Sequence, residues 1–215
     1  MKIIGIDLSG PANSADTCLV CFQEQVDRLS LVNTLPDAND QQIFEAISLL
    51  TRDDQVIIGI DAPLSYNIGG GDRPADKDLR KHVIQMGMPP GAVMPPTLTK
   101  MVYLTLRGIS LSRSLETVQL DHELRIVEVH PGATLALRKA PIDDVRQFKK
   151  NEACQMNLLR WLETQGLQNV CSVSGCTDHY VAGCASALAA WKWYHNEAIW
   201  CVRARPPFHV HDFAC

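Results

Sequence analysis

The sequence predicts an α/β fold in which helices flank a mixed central sheet. The first observation is a pentapeptide that occurs twice, as IIGID at residues 3–7 and again at residues 57–61. Short apolar runs bounded by turn residues are typical of the inner strands of a parallel or mixed sheet. The second observation is that segments with helical spacing alternate with such strands along the chain, which favours helices packed over a sheet.

The predicted strands are short and apolar, and the predicted helices carry apolar residues at helical spacing. In chain order the elements are a strand at 2–8, a hairpin of strands at 17–25 and 28–34, a helix at 40–50, a strand at 56–61, helices at 74–86 and 98–115, a strand at 124–129, helices at 133–138, 143–165 and 178–195, and an edge strand at 199–203.

Several of these elements are bounded by residues that are typical of helix ends or that interrupt regular structure. Asp40 is a plausible N-cap for the helix at 40–50, and Gly166 is a good residue to end the helix at 143–165. A helical and loop insertion is predicted at about 66–120, because a glycine triplet and a cluster of prolines interrupt regular structure there. The three acid-bearing strands then lie at the sheet centre with the hairpin as an antiparallel wing. This is the layout of a ribonuclease H-like fold, in one domain over residues 1–215.

Composition and charge limit the classes of function. The chain has 215 residues, of which 46% are hydrophobic, so a substantial core is expected. No apolar run reaches the roughly 20 residues that span a bilayer, and no secretory signal is recognisable, so no membrane association and a cytoplasmic location are expected. The net charge of −4 argues against a general nucleic-acid binder. Residues 73–113 nevertheless hold seven basic and two acidic side chains, which predicts a basic flap.

Asp7 and Asp61 are the strongest candidates for chemistry. If the twin strands lie side by side and parallel, both carboxylates emerge at the same edge of the sheet. Two carboxylates held close repel each other unless a proton or a cation lies between them, and Mg²⁺ prefers such oxygen ligands. The structural alternative is that each aspartate only caps its strand end in an Asx-turn.

Three further residues extend this candidate site. Glu128 lies in a buried strand, where a carboxylate is either functional or paired with an arginine such as Arg125 or Arg138. Asp178 opens the last helix, where it either complements the helix dipole or joins the acidic set. His130 is either a general base or a partner of the turn that follows it.

The candidate substrate-binding residues are a hydroxyl beside Asp7 and three basic side chains. Ser9 follows the first strand, and Arg73, Arg80 and Lys100 lie in the basic segment, where an arginine can hold a phosphate bidentately. The alternative for Arg73 is a surface ion pair with the aspartate at position 72 or 76. The tail at 209–215 holds histidines and a cysteine that could ligate a metal, but a loosely docked terminus is expected there.

Four short motifs in order carry a family resemblance: GID at 5–7 with Ser9, GIDAPL at 59–64, RPADKDLR at 73–80 and EVHP at 128–131. The chain thereby resembles domain-of-unknown-function family 429, predicted nucleases of ribonuclease H-like fold. The resemblance covers nearly the whole chain and implies a metal-dependent hydrolase in which Asp7, Asp61 and Glu128 match the acidic positions. An aspartate that the family usually carries before its alanine run corresponds to Ala182 here, with Asp178 one turn earlier.

The resulting hypothesis is metal-assisted phosphodiester hydrolysis. Two Mg²⁺ or Mn²⁺ ions would be bridged by Asp7 and flanked by Asp61, Glu128 and Asp178. The substrate would be a nucleic acid or a phosphorylated small molecule. One alternative is a nucleotide-binding phosphotransferase like actin and the sugar kinases, and another is a catalytically degenerate binding module, which the Ala182 departure and the acidic net charge favour.

Overall fold

In the computed structural model, which describes residues 1–117, 122–173, 175 and 177–215, eight strands form one mixed sheet and seven α-helices flank it. The sheet order is β6-β3-β2-β1-β4-β5-β8-β7. The strands are β1 (Lys2–Asp7), β2 (Cys18–Gln25), β3 (Arg28–Leu35), β4 (Val56–Asp61), β5 (Leu124–Val129), β6 (Leu167–Gln168), β7 (Cys201–Val202) and β8 (Phe213–Ala214). The helices are α1 (Asp40–Leu50), α2 (Pro74–Gln85), α3 (Val102–Thr117), α4 (Pro131–Leu137), α5 (Ile142–Gln147), α6 (Glu152–Thr164) and α7 (Asp178–Tyr194).

The twin pentapeptides are neighbouring parallel strands at the centre of this sheet. In the register of β1 and β4, Gly5 lies opposite Gly59 and Asp7 lies opposite Asp61. The β2–β3 hairpin is the antiparallel wing on one side, and β5 pairs parallel with β4 on the other. The predicted mixed sheet with its acid-bearing strands at the centre is confirmed.

The repeated isoleucines supply two hydrophobic cores, one on each face of the sheet. Ile3 and Ile57 point to the face covered by α7, whereas Ile4 and Ile58 point to the face covered by α1 and α3. All four side chains are fully buried. Strands covered on both faces read as continuous apolar runs rather than as alternating patterns, which explains the IIGI sequence.

The glycine within each pentapeptide lets α7 lie directly on the sheet. A Cβ built on Gly5 would lie 1.9 Å from the carbonyl oxygen of Gly183, and one built on Gly59 would lie 2.5 Å from the carbonyl oxygen of Ser186. These contacts are with helix backbone, which cannot rotate away. The glycines therefore set how closely α7 approaches, and they bring the start of α7 to the ends of β1 and β4.

We expect Gly5→Ala to lower the free energy of unfolding by about 1–3 kcal/mol or more, because the added methyl group forces α7 away from the sheet. Gly10→Ala is the matched control. A Cβ at Gly10 meets nothing within 4 Å, and the residue has ordinary extended angles. Urea unfolding of both variants measures the difference. If Gly5→Ala and Gly10→Ala lost the same amount of stability, the close approach of α7 to Gly5 would be contradicted.

Several predicted element ends are wrong. The helix predicted at 143–165 is two helices, because Asn151 caps a new helix by accepting from the backbone N–H groups of Ala153 and Cys154. The cap of α1 is Asn39 rather than Asp40. The helix predicted from residue 98 begins at Val102. Among the described helices, none combines the length and apolar character needed to cross a membrane.

The prediction of a loosely docked C-terminus is also wrong. Phe213 and Ala214 form β8, which lies between β5 and β7 and pairs parallel with β5. Phe213, Ala214 and Cys215 are all buried, and β8 covers the edge that β5 would otherwise expose. The tail is therefore part of the sheet.

Candidate active site

The two strand-end aspartates form a carboxylate pair at one edge of the sheet. Asp7 and Asp61 are register partners, and each is the last residue of its strand. Burial raises the pKa of Asp61 well above its usual range, and the charge and hydrogen bonding of Asp7 raise it further. A neutral carboxyl of this kind shares its proton with its neighbour or exchanges it for a cation.

His179 is the second component of the site. Its Nδ1 lies 2.7 Å from Asp7 Oδ2, and this hydrogen bond raises the pKa of the imidazole. Its Nε2 lies 3.8 Å from Asp178 Oδ1 and 3.9 Å from Asp16 Oδ1. His179 lies at the start of the helix predicted at 178–195, and the sequence alone assigns it no role. The available signal was its position on the helix that packs against both glycine-bearing strands.

Asp178 lies in the first turn of α7, beside His179 and at the rim of the acid pair. The side chain of Thr177 caps this helix by accepting from the backbone N–H of Tyr180, which fixes where the helix begins. Ala182 follows one turn later and lines the same cleft. Asp178 therefore contacts the site through His179, and the position of the family's usual aspartate offers only a methyl group.

Glu128 lies near the acid pair, but an arginine holds its carboxylate. Glu128 Oε2 accepts from Arg73 Nη1 at 2.8 Å and from the backbone N–H of Leu64 at 2.9 Å, and Oε1 accepts from Arg73 Nη2. The sequence predicts Arg125 or Arg138 as an arginine partner of Glu128, and the structure pairs Glu128 with Arg73 instead. The role of metal ligand stays a prediction, and it requires the ion pair with Arg73 to open.

Arg73 is buried and has no N–H group free for a phosphate. Its Nε and Nη2 donate to Asp76, its Nη1 donates to Ser65 Oγ at 2.9 Å, and the remaining N–H groups donate to Glu128. A guanidinium has five N–H donors, and these contacts use all of them. The side chain is 4% exposed, so the predicted surface ion pair with Asp76 is instead a buried one.

The other predicted phosphate contacts lie away from the acid pair or are already engaged. Arg80 donates to both carboxylate oxygens of Asp72 and to the carbonyl of Val93. Lys100 is exposed and does not line the cleft. Ser9 does line it, but its hydroxyl is engaged with Thr17 and with the carbonyl of Asn13.

His130 is a helix cap rather than a free base in this arrangement. Its Nδ1 accepts from the backbone N–H of Ala133 at 3.1 Å, and its Nε2 donates to the carbonyl of Ala92 at 2.9 Å. Burial lowers the pKa of the imidazole, so the neutral form predominates. Both ring nitrogens are used, and the structural alternative for His130 describes these contacts.

A cleft of about 1150 Å³ opens over the acid pair. Asp7, Asp61 and His179 line it, and the connection between α5 and α6 faces them with Lys149 and Lys150. The positive charge of Lys149 lowers the pKa of Asp61 and so opposes the effect of burial and of Asp7. The basic residues of the cleft thus come from 146–150 and from Arg73 of the predicted flap at 73–113, and Arg73 is neutralised by Asp76 and Glu128. The Lys-Lys-Asn sequence before α6 was the available signal.

The donor set fits one hard cation with two protein carboxylates. In the part of the chain that the structure describes, no group of three or more His, Cys, Asp or Glu side chains is placed to hold a metal ion. Mg²⁺ is commonly bound by one or two carboxylates together with water and substrate phosphates. Asp7 and Asp61 meet that requirement, whereas the predicted four-acid arrangement around two ions does not form while Arg73 holds Glu128.

The comparisons with known proteins give one family and no named relative. Neither the curated proteins nor the solved structures contain a match to this chain. A family model described as protein of unknown function, DUF429, matches residues 5–207. That span includes both aspartates, Glu128, His179 and the connection that carries Lys149. The chain is a member of the DUF429 family.

Proposed function

We propose that the protein is a metal-dependent phosphodiester hydrolase with a ribonuclease H-like arrangement of its central strands. The observation that carries the proposal is the register of β1 and β4, which sets Asp7 beside Asp61 at the edge of a large cleft. The raised pKa of Asp61 also supports the proposal. A carboxyl that resists ionisation beside another carboxylate favours a cation at that position.

Asp7 and Asp61 would hold the cation, Mg²⁺ or Mn²⁺. When bound, such an ion supplies Lewis-acid polarisation of a phosphoryl oxygen and neutralises the two carboxylates. Asp7 has a second task, because its Oδ2 also orients the imidazole of His179. One carboxylate thereby links the predicted cation position to the only imidazole that contacts the pair within the described residues.

His179 is placed to act as the general base. With Nδ1 directed at Asp7, the ring presents Nε2, and the side chain is 34% exposed. A carboxylate that orients an imidazole and stabilises its protonated form is the arrangement that general-base catalysis requires. His179 would accept a proton from water in the cleft while Asp7 stabilises the imidazolium that forms.

Lys149 and Lys150 would position the phosphate of the substrate. Both line the cleft opposite the acid pair, both are exposed, and neither forms an ion pair among the described residues. An ammonium group in this place attracts an anionic substrate and offsets the repulsion between its phosphate and the carboxylates. Nucleic acid and phosphorylated small molecules both satisfy this chemistry.

The second candidate function is a binding module that lacks the chemistry. The observation that favours it is the ion pair of Glu128 with Arg73, which removes a third carboxylate from the acid pair. Such a protein would retain the cleft and bind anions through Lys149 and Lys150. It would not need a cation at Asp7 and Asp61.

Cleavage assays with Mn²⁺, Mg²⁺ or a chelator separate these functions. The substrates are single-stranded, duplex, hybrid and junction nucleic acids and a chromogenic phosphodiester. We expect metal-dependent cleavage by the wild type and by Asp143→Asn, which removes a carboxylate with an 82% exposed side chain away from the acid pair. Asp7→Asn should lose cleavage, and His179→Gln should lose cleavage while it retains Mn²⁺ binding.

Absence of cleavage above Asp7→Asn on every substrate would reject the hydrolase. Calorimetric titration with Mn²⁺ then distinguishes what remains. Saturable binding that Asp7→Asn abolishes would show a cation site without hydrolysis, whereas no binding by the wild type would leave the binding module as the function.

A further inference from the structure

A second cavity of about 240 Å³ lies beside β8. Arg73, Glu128 and Phe213 line both this cavity and the cleft over the acid pair. The rest of its lining comes from Ser65 after β4, from the start of α2, from Val202 of β7 and from the chain between β7 and β8. The proposed hydrolase chemistry uses none of those other residues, so the cavity is a separate feature of the fold.

One cationic side chain that lines this cavity has no carboxylate partner among the described residues. Arg73 is neutralised by Glu128 and Asp76, and Arg203 pairs with Asp212 at 2.7 Å. Arg205 also lines the cavity, and its guanidinium forms no ion pair within the described residues. Asp78 is the acidic lining residue that no arginine holds, and its Oδ2 accepts from Trp200 Nε1.

Two histidines line the cavity, and His209 adds hydrogen-bonding capacity. His209 Nδ1 lies 2.7 Å from Ser65 Oγ, which already accepts from Arg73 Nη1. When the serine hydroxyl donates to Nδ1, the neutral ring carries its proton on Nε2 and can donate to a ligand. His211 also lines the cavity, but its side chain is 4% exposed and its Nε2 lies 3.7 Å from Glu116 Oε1.

The size and the apolar side of the cavity limit what it can hold. A water molecule occupies about 30 Å³ in the liquid, so the cavity has room for roughly eight non-hydrogen atoms. Phe213, Pro74 and Val202 supply apolar surface opposite the cationic groups. A macromolecular segment does not fit in this volume, whereas a small acid with a short carbon skeleton does.

We propose that this cavity binds a small organic anion, with its carboxylate or phosphate group held by Arg205 and His209 and its carbon skeleton against Phe213. The guanidinium of Arg205, which has no carboxylate partner among the described residues, and the Nε2–H of His209 can both donate to one such ligand. A charge-assisted hydrogen bond to Arg205 is the main source of selectivity for anions.

Calorimetric titration of the metal-free protein with succinate and with inorganic phosphate tests the site. Metal is removed by dialysis without a chelator left in the buffer, because chelators are themselves polycarboxylates. We expect saturable binding of at least one of the two anions, and the stronger of them identifies the headgroup. Arg205→Gln should weaken that binding at least about tenfold, and His209→Gln should weaken it as well.

Arg28→Gln is the matched control, because Arg28 is an exposed arginine at the hairpin turn on the opposite wing of the sheet. It should bind the anion as the wild type does, and so should Asp7→Asn, which separates this site from the proposed hydrolase. Absence of saturable binding of both anions would overturn the proposal. Equal binding by Arg205→Gln and the wild type would overturn it too, since the anion would then bind elsewhere.

Discussion

Replacing Arg73 with methionine is expected to lower the free energy of unfolding by about 3–5 kcal/mol. The substitution keeps the length and the apolar stem of the side chain but leaves the carboxylates of Glu128 and Asp76 buried without a cation. Those side chains are 6% and 2% exposed, so water does not replace the lost hydrogen bonds. The large expected effect comes from the two stranded charges rather than from the arginine alone.

Chemical denaturation of Arg73→Met and of Arg125→Met provides the measurement and its control. Arg125 pairs with Glu123, and both side chains are about half exposed, at 49% and 53%. An exposed pair of this kind contributes about 0–1 kcal/mol, so Arg125→Met should be nearly neutral. If Arg73→Met and Arg125→Met were equally stable, the stabilising role of the buried ion pairs of Arg73 would be contradicted.

A double variant separates two effects, the loss of the ion pair between Arg73 and Glu128 and the burial of Glu128 without a cation. Arg73→Met together with Glu128→Leu removes both partners, and apolar replacements of buried ion pairs are often neutral or stabilising. Asp76 remains unpaired in this variant, so we expect partial recovery relative to Arg73→Met. The stability recovered in the double variant measures how much of the stability lost in Arg73→Met arises from the unpaired Glu128.

The centre of the sheet could be predicted from the sequence because it is encoded locally. A strand that is apolar on both faces, repeated with the same terminal aspartate, indicates two inner strands, and register follows from the matched glycines that accommodate α7. Asp7 and Asp61 therefore come together as expected. The hairpin and most of the helices are also visible as periodicity or turn chemistry.

The partners within the site could not be predicted because they depend on how distant segments meet. Arg125 and Arg138 were plausible partners of Glu128, whereas the folding of the insertion brings Arg73 to it. The contact between His179 and Asp7 depends on how far α7 slides along β1, which the glycines set. Lys149 reaches the cleft only because the long predicted helix breaks before Asn151.

The second large effect concerns Asp61→Asn, for which we expect opposite changes in stability and in activity. Asparagine keeps the shape of the side chain and can still donate to Asp7, but it carries no charge. Metal-dependent cleavage should fall at least about 100-fold, because one of two proposed cation ligands is lost. In the absence of metal, however, the variant should be more stable than the wild type near neutral pH.

The raised pKa of Asp61 makes the stability of the folded wild type depend on pH. The pKa of Asp61 in the folded protein is raised well above its ordinary value of 3.8, so the folded state binds this proton more tightly than the unfolded state does. The stabilisation is fully present below about pH 4 and is lost as the pH rises from there through the folded-state pKa. Asp61→Asn lacks this loss, so its stability relative to the wild type should increase with pH over that window.

Urea denaturation of the metal-free wild type and Asp61→Asn between about pH 4 and pH 8 measures this difference. Asp143→Asn, whose carboxylate is largely exposed, is the control and should follow the wild type. Because a cation takes the place of the proton at Asp61, saturating Mn²⁺ should also restore wild-type stability at the upper end of this range and have little effect on Asp61→Asn. Parallel pH profiles for wild type and Asp61→Asn would show that the pKa of Asp61 is not raised in the folded protein, and the cation site would lose its physical basis.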